Sequence, residues 1–251
     1  MSRRSLLDRA IARGKPSWLP DAPPPREIGP GLWSVDRTIG LGFGPRLATR
    51  ALLVDLPGGG VLAWSPVPLD DELRSFVAGR GGVRFLVAPN SFHYLAVRDW
   101  LRAFPSAACW LTPGLPARVG SAVPPGSELH AGAATPFATT LPHHAYLGGN
   151  GNSEVAFFHA ASRTLLLVDS VFNLRHAERL VDRIVWRGYG ALGRFGPTAT
   201  GRMFLLRDRA AAKAWVEALC AWPFERVAMA HGELHAGGPR ELRAAFARFL
   251  R

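Results

Sequence analysis

Four short stretches put imidazole and carboxylate groups where chemistry is usually done: Asn90 to Tyr94, His143-His144, Asp169, and His231-Gly232-Glu233. Each follows a run of apolar residues that reads as a strand. All four can therefore open on one edge of a sheet, where short loops project into a shared cleft. Imidazoles and carboxylates gathered there are the ingredients of a hydrolytic metal site, which binds a water, lowers its pKa towards neutrality and offers a hydroxide nucleophile. Three or four such groups suffice for one zinc or iron ion with a position left open for water. The same residues admit structural roles. Asp169 can cap the helix after it, His231 can sit in a turn before Gly232, His93 can cap or orient a helix, and His143-His144 can be a surface pair. His130, His159, His176 and His235 are expected to have no catalytic part.

Other chemistries find less support. There is no Gly-x-Ser-x-Gly elbow, and Ser91 and Ser170 do not stand at a strand–turn–helix nucleophile position. Gly58-Gly59-Gly60 and the Gly148–Asn152 stretch are not followed by Lys-Ser/Thr and a helix, so they read as turns and not as phosphate loops. Cys109 and Cys220 are far apart in apolar surroundings and form no Cys-x-x-Cys pair, which predicts two buried free thiols in a reducing compartment.

The elements that must position these residues follow from pattern. A Pro-rich arm, residues 1–30, holds a helix candidate at Ser5 to Arg13, and Pro23-Pro24-Pro25 favours extended chain over a separate domain. Residues 31–251 form the domain proper. Strands are predicted over Gly31–Ile39, Ala51–Leu56, Val61–Trp64, Val83–Ala88, Ala107–Leu111, Phe137–Leu141, Glu154–His159, Arg163–Asp169 and Arg226–Ala230. Asp70-Asp71 starts a helix running to Gly79. Further helices are predicted from about His93 to Phe104, Ala177 to Ile184, Arg209 to Ala221 and Pro239 to Leu250. Residues 112–135 read as a Gly/Pro/Ala-rich connection. Two halves of strands followed by helices imply an α/β (α+β) protein in which two sheets pack face to face with helices outside.

This arrangement resembles the metallo-β-lactamase superfamily over about Gly31 to Arg251, and more narrowly an uncharacterised branch known as a domain of unknown function. The matching stretches are Leu62-Ala-Trp-Ser-Pro-Val-Pro-Leu69, Phe85-Leu-Val-Ala-Pro-Asn-Ser-Phe-His93, Glu154 to His159, Ser162-Arg-Thr-Leu-Leu-Leu-Val-Asp169 and Ala230-His-Gly-Glu233. The resemblance implies a four-layer αββα sandwich. It also implies a metal held by some of His93, His144 (or His143 beside it), Asp169 and His231, with Asn90 or Glu233 positioning water or substrate. The departure is at Pro89-Asn90-Ser91-Phe92-His93-Tyr94, where the superfamily carries a His-x-His-x-Asp-His motif. The implied activity is thus a one-metal hydrolase acting on an ester, amide, thioester or phosphoester. The alternative is a non-catalytic, metal-free binding protein on the same fold, since fold alone does not carry function.

Charge bears on the partner. The formal net charge is +11, but Lys15 and Lys213 are the only lysines and no arginine run exceeds Arg3-Arg4. Scattered arginine reads as a solvated surface, so a small-molecule substrate is expected and nucleic acid is not. No apolar run approaches the roughly 18 residues of a membrane span, no secretory leader is visible, and a cytoplasmic protein without a membrane partner is expected.

Overall fold

Two long strands, β3 (Leu32–Gly40) and β4 (Arg46–Asp55), form the antiparallel hairpin around which the first sheet is built. The computed structural model describes residues 16–42, 44–148, 152–199, 201–202 and 207–250. The helix expected at Ser5 to Arg13 lies outside them. Short strands β1 (Ser17–Trp18) and β2 (Arg26–Gly29) pair with β3, and Arg37 Nη1 donates to Pro23 O at 3.0 Å, tying down the proline segment. β5 (Val61–Trp64) pairs with β4 across the glycine turn. Then β6 (Val83–Ala88), β7 (Ala108–Leu111) and β8 (Ser127–Glu128) continue in parallel. The second sheet runs β9 (His143–Gly148), β10 (Asn152–His159), β11 (Thr164–Leu167), β12 (Arg226–Met229) and β13 (His235–Ala236), adjacent in that order.

Strand alternation creates the layers. Successive side chains point to opposite faces, so Leu52 and Val54 of β4 face the second sheet while Ala51 and Leu53 face outward. In β11, Leu166 joins the same central layer, and Leu165 and Leu167 turn to the other side. Helices α1 (Asp71–Ala78) and α2 (Val97–Ala103) cover the outer face of the first sheet through Leu73, Val77, Val97 and Trp100. Helices α5 (Arg209–Leu219) and α6 (Pro239–Ala247) cover the second through Ala212, Trp215, Val216, Leu219, Leu242 and Phe246. Between them come α3 (Leu115–Val119) and α4 (Leu180–Gly188). The result is the αββα sandwich.

Local chemistry sets the helix starts. The Asp70 carboxylate accepts from Leu73 N at 2.8 Å, and Asp71 and Glu72 place negative charge in the first turn of α1. Asp208 caps α5 in the same way, accepting from Ala211 N. Covering a sheet with such helices is worth roughly 1.5–3 kcal/mol per large apolar side chain removed from water.

Four expectations are corrected. Phe137–Leu141 is a turn and not a strand; Phe137 is nonetheless buried in the central layer. His143–Gly148, over which no strand was expected, is the edge strand β9, paired from His143↔Phe157 to Gly148↔Asn152. The connection 112–135 contains α3 and β8. The helix expected from His93 begins at Val97, because Asn90 Oδ1 accepts from Phe92 N and His93 N and holds those residues in a turn.

Candidate metal centre

Asp169 and His231 are brought together by register. β11 and β12 are parallel with Leu167 opposite Met229, so the residues two places beyond each strand stand side by side. β6 reaches the same edge from the facing sheet, and the Asn90 turn carries His93 across the gap. The donor atoms of His93, Asp169 and His231 lie within 4.8 Å of one another. His231 Nε2 is 3.0 Å from Asp169 Oδ1, His93 Nε2 is 3.5 Å from the same oxygen, and the two Nε2 atoms are 3.2 Å apart.

The far side of each ring decides what these atoms are. His231 Nδ1 lies 2.8 Å from the Ala48 carbonyl, which can only accept, so Nδ1 carries the proton. Ser65 Oγ donates to the Arg50 carbonyl at 3.2 Å and accepts from His93 Nδ1 at 2.7 Å, so His93 is protonated there too. In the neutral rings both Nε2 atoms then present lone pairs towards a carboxylate oxygen. A donor set of two imidazole nitrogens and one carboxylate, with both far nitrogens held by hydrogen bonds, fits one zinc or ferrous ion. An imidazolium paired with Asp169 satisfies the same geometry with a proton.

Two further side chains fix Asp169. Asn90 Nδ2 donates to Oδ2 at 2.5 Å, leaving Oδ1 to the histidines. Glu154 is fully buried and receives Val168 N, Asp169 N, Ser170 N and Ser170 Oγ at 2.8–3.0 Å, so one carboxylate gathers the whole turn that bears Asp169. Burial and the Asp169 charge push Glu154 up to about 7, against the pull of those donors. For Asp169, burial acts upward; when the two histidines are imidazoliums, the His93 charge and the hydrogen bonds from both rings outweigh it and hold the carboxylate well below its usual range.

Arg50 links the two sheets at this edge. Its guanidinium donates to Asp36 and Ser34 on the first sheet, and to Met229 O and Gly232 O beside His231 on the second. Burial lowers its pKa, and the Asp36 charge works against that. All three residues of the cluster line a cavity of about 310 Å³ whose walls are mainly apolar.

Residues 30–183 match the model of a domain of unknown function (DUF4336), more than half of the chain. The chain belongs to this family. No curated protein matches the DUF4336 chain. Solved structures show the metallo-β-lactamase fold. The metal-soaked Flv1 flavodiiron core from Synechocystis sp. PCC6803 matches over 92% of this chain at TM-score 0.64 and 12% identity; the chain spans 61% of that protein's length. A metallo-β-lactamase from Hirschia baltica matches over 91% of this chain and 99% of its own, at TM-score 0.59 and 14% identity. An NDM_FIM-1-like metallo-β-lactamase from Erythrobacter litoralis, in a mono-zinc form, matches over 92% and 95%, at TM-score 0.53 and 16% identity.

Against this DUF4336 framework, the structure brings Asn90, His93, Asp169 and His231 together. It does not bring His144 to them: β9 pairs His144 with Ala156, and its exposed ring packs on Trp222 with centroids 4.7 Å apart. His143 packs on Phe157. Glu233 is exposed, and its backbone, not its carboxylate, is engaged by Asn173. Sequence reasoning missed Ser65, Arg50 and Glu154 as supports of the site. Ser65 has a local signal only in hindsight, as the residue after Trp64 at a strand end, with φ of 53°. Cys109 and Cys220 are buried free thiols, as expected. Among the described residues, no helix is long and apolar enough to cross a membrane.

Proposed function

We propose that this DUF4336 chain is a metal-dependent hydrolase using one zinc or iron ion, held by His93, Asp169 and His231. The carrying observation is the convergence of two Nε2 atoms and one carboxylate oxygen, with both Nδ1 positions occupied by Ala48 O and Ser65 Oγ. The ion supplies Lewis acidity for cleavage of an acyl or phosphoryl bond. The chain's own residues orient the reaction. Asn90 fixes the Asp169 carboxylate, Glu154 holds the Asp169 turn, and Ser65 and Ala48 set the histidine tautomers. A mono-zinc protein among the structures of like fold supports a one-ion site. Two buried thiols support a cytoplasmic setting.

Elemental analysis of protein purified without chelator tests this reading. About one zinc or iron per chain, lost in His231→Ala, is expected. No metal in either protein overturns it and favours the second reading, a non-catalytic binding protein, which the largely apolar cavity also supports.

A further inference from the structure

We infer that the cavity above the cluster is an acyl pocket, and that the substrate is an uncharged ester of an apolar carboxylic acid. This inference rests on the hydrolase reading for its chemistry, but the pocket itself does not. The cavity walls come from both halves of the fold: Ile39 and Leu47 of the β3–β4 hairpin, Val67 and Phe92 beside β5 and β6, and Phe172 and Trp186 from the second half. Among the polar lining residues, His93, Asp169 and His231 meet in one cluster, and Thr49, Ser91, Tyr94, Tyr189 and Thr198 contribute hydroxyl-bearing side chains to walls that are otherwise mainly apolar. Apart from that cluster, the charged lining residue is Arg118, which is exposed, with its guanidinium over the Phe92 ring at 4.9 Å.

Such a distribution selects for a molecule with one polar function and an apolar body. A sugar, nucleotide or fused lactam nucleus carries polar groups around its whole outline, and these walls would strip their water without replacing the hydrogen bonds. An alkyl chain loses nothing on entering and displaces water from apolar surface. The cavity's 310 Å³ is roughly the room of ten water molecules, which a chain of about eight carbons with its ester head fills. Leu95, 49% exposed, extends the apolar surface to the rim. Hydrolysis breaks the acyl–oxygen bond and joins the oxygen of water to the acyl carbon. One water proton leaves with the alcohol, and the other passes to solvent as the acid ionises.

The test uses chelator-treated full-length protein and calorimetric titration with methyl esters from butanoate to decanoate. Affinity is expected to rise about fourfold per methylene, the equivalent of about 0.8 kcal/mol, and to level off near eight carbons. Leu47→Trp, which fills the cavity, moves that plateau to shorter chains; Phe92→Ala, on a loop, moves it to longer ones. An affinity indifferent to chain length overturns the inference, as does a plateau that neither variant moves. The ion-free titration separates the two readings. Chain-length dependence without metal in the elemental analysis leaves the pocket and removes the hydrolase. With the ion restored, p-nitrophenyl acetate and octanoate cleaved at equal kcat/KM leave the hydrolase and remove the pocket.

Discussion

If three pre-set donors hold one ion, the ion must stabilise the fold, by an amount that can be worked out. A ligand bound by the native state alone adds RT ln(1 + [L]/Kd), about 2.7 kcal/mol at a free concentration a hundred times Kd. For a chain of this size each kcal/mol moves Tm by about 2–4 °C, so zinc or ferrous ion at that excess raises Tm by about 5–11 °C over chelated protein. The three donor atoms already lie within 4.8 Å, and Ala48, Ser65, Asn90 and Glu154 hold their bearers, so little of this is spent on reorganisation. His93→Ala removes one donor of three. A hundredfold loss in affinity, the upper range for losing even an outer hydrogen-bond partner of a ligand, leaves RT ln 2 at the same ion concentration, about 0.4 kcal/mol or one to two degrees. His144→Ala keeps the full shift, because that ring lies against Trp222 and not in the cluster. Differential scanning fluorimetry across an ion titration measures all three. A wild-type shift below about 1 °C, or one that His93→Ala retains, refutes the reasoning.

Three other perturbations test the supports. Glu154→Gln keeps its oxygen for Asp169 N and Ser170 N and turns its NH2 towards Val168 N and the Ser170 hydroxyl, which can rotate to accept, leaving one buried donor without an acceptor at about 1–3 kcal/mol. Relief of a buried charge offsets part, so a net loss of about 1 kcal/mol in urea unfolding and a weaker ion-induced Tm shift are expected; wild-type values for both would sink the assignment. At Gly232, with φ 97°, an added Cβ would collide with the backbone of Asn173 and Leu174, so Gly232→Ala adds strain of at least about 1–3 kcal/mol next to His231, read as a lower urea midpoint with unchanged slope. Burial pushes the Cys109 thiol up to about 11 from 9.0, so the native form keeps its proton, and this contribution to stability is lost as pH climbs from about 9 towards 11. Ellman's reagent at pH 8 is therefore expected to find almost no thiol in the native protein and two per chain in guanidinium; rapid native labelling contradicts the burial.

Much of the fold was legible because the strands that matter are buried on both faces. Val61–Trp64 is a continuous apolar run, and Ala51–Leu56 and Val83–Ala88 are apolar except for Asp55 and Arg84; glycine or proline stands at one or both ends of each, and each became a strand, with β4 starting earlier at Arg46. β9 was not legible. It is an edge strand of mixed composition, His-His-Ala-Tyr-Leu-Gly, whose pairing with β10 supplies what its own pattern lacks. Phe137–Leu141 failed for the opposite reason, an apolar sequence buried as a turn. At the site, His93, Asp169 and His231 could be picked out because each follows a strand. Glu154 could not: a carboxylate inside Ser-Glu-Val-Ala-Phe-Phe reads as one more strand residue until the facing turn supplies four donors to it. Nor could His144 be separated from a ligand without the register that turns it towards Trp222.

Asn90 gives a physical reason for a reduced donor set. Its carbonyl oxygen accepts from two backbone amides, Phe92 N at 2.9 Å and His93 N at 2.8 Å, while its amide nitrogen donates to Asp169 Oδ2. A neutral imidazole at this position has a single acceptor nitrogen, so it can ligate an ion or accept one turn amide, but it cannot accept from both Phe92 N and His93 N. Asparagine accepts both amides on its carbonyl oxygen, donates to Asp169 from its amide nitrogen, and adds no charge beside a carboxylate already buried. One side chain thus stops the helix short at Val97, aims His93 into the gap between the sheets, and turns Asp169 so that Oδ1 faces the two histidines. With Asn90 in that role the cluster presents three donor residues, His93, Asp169 and His231, and these also line the largely apolar cavity.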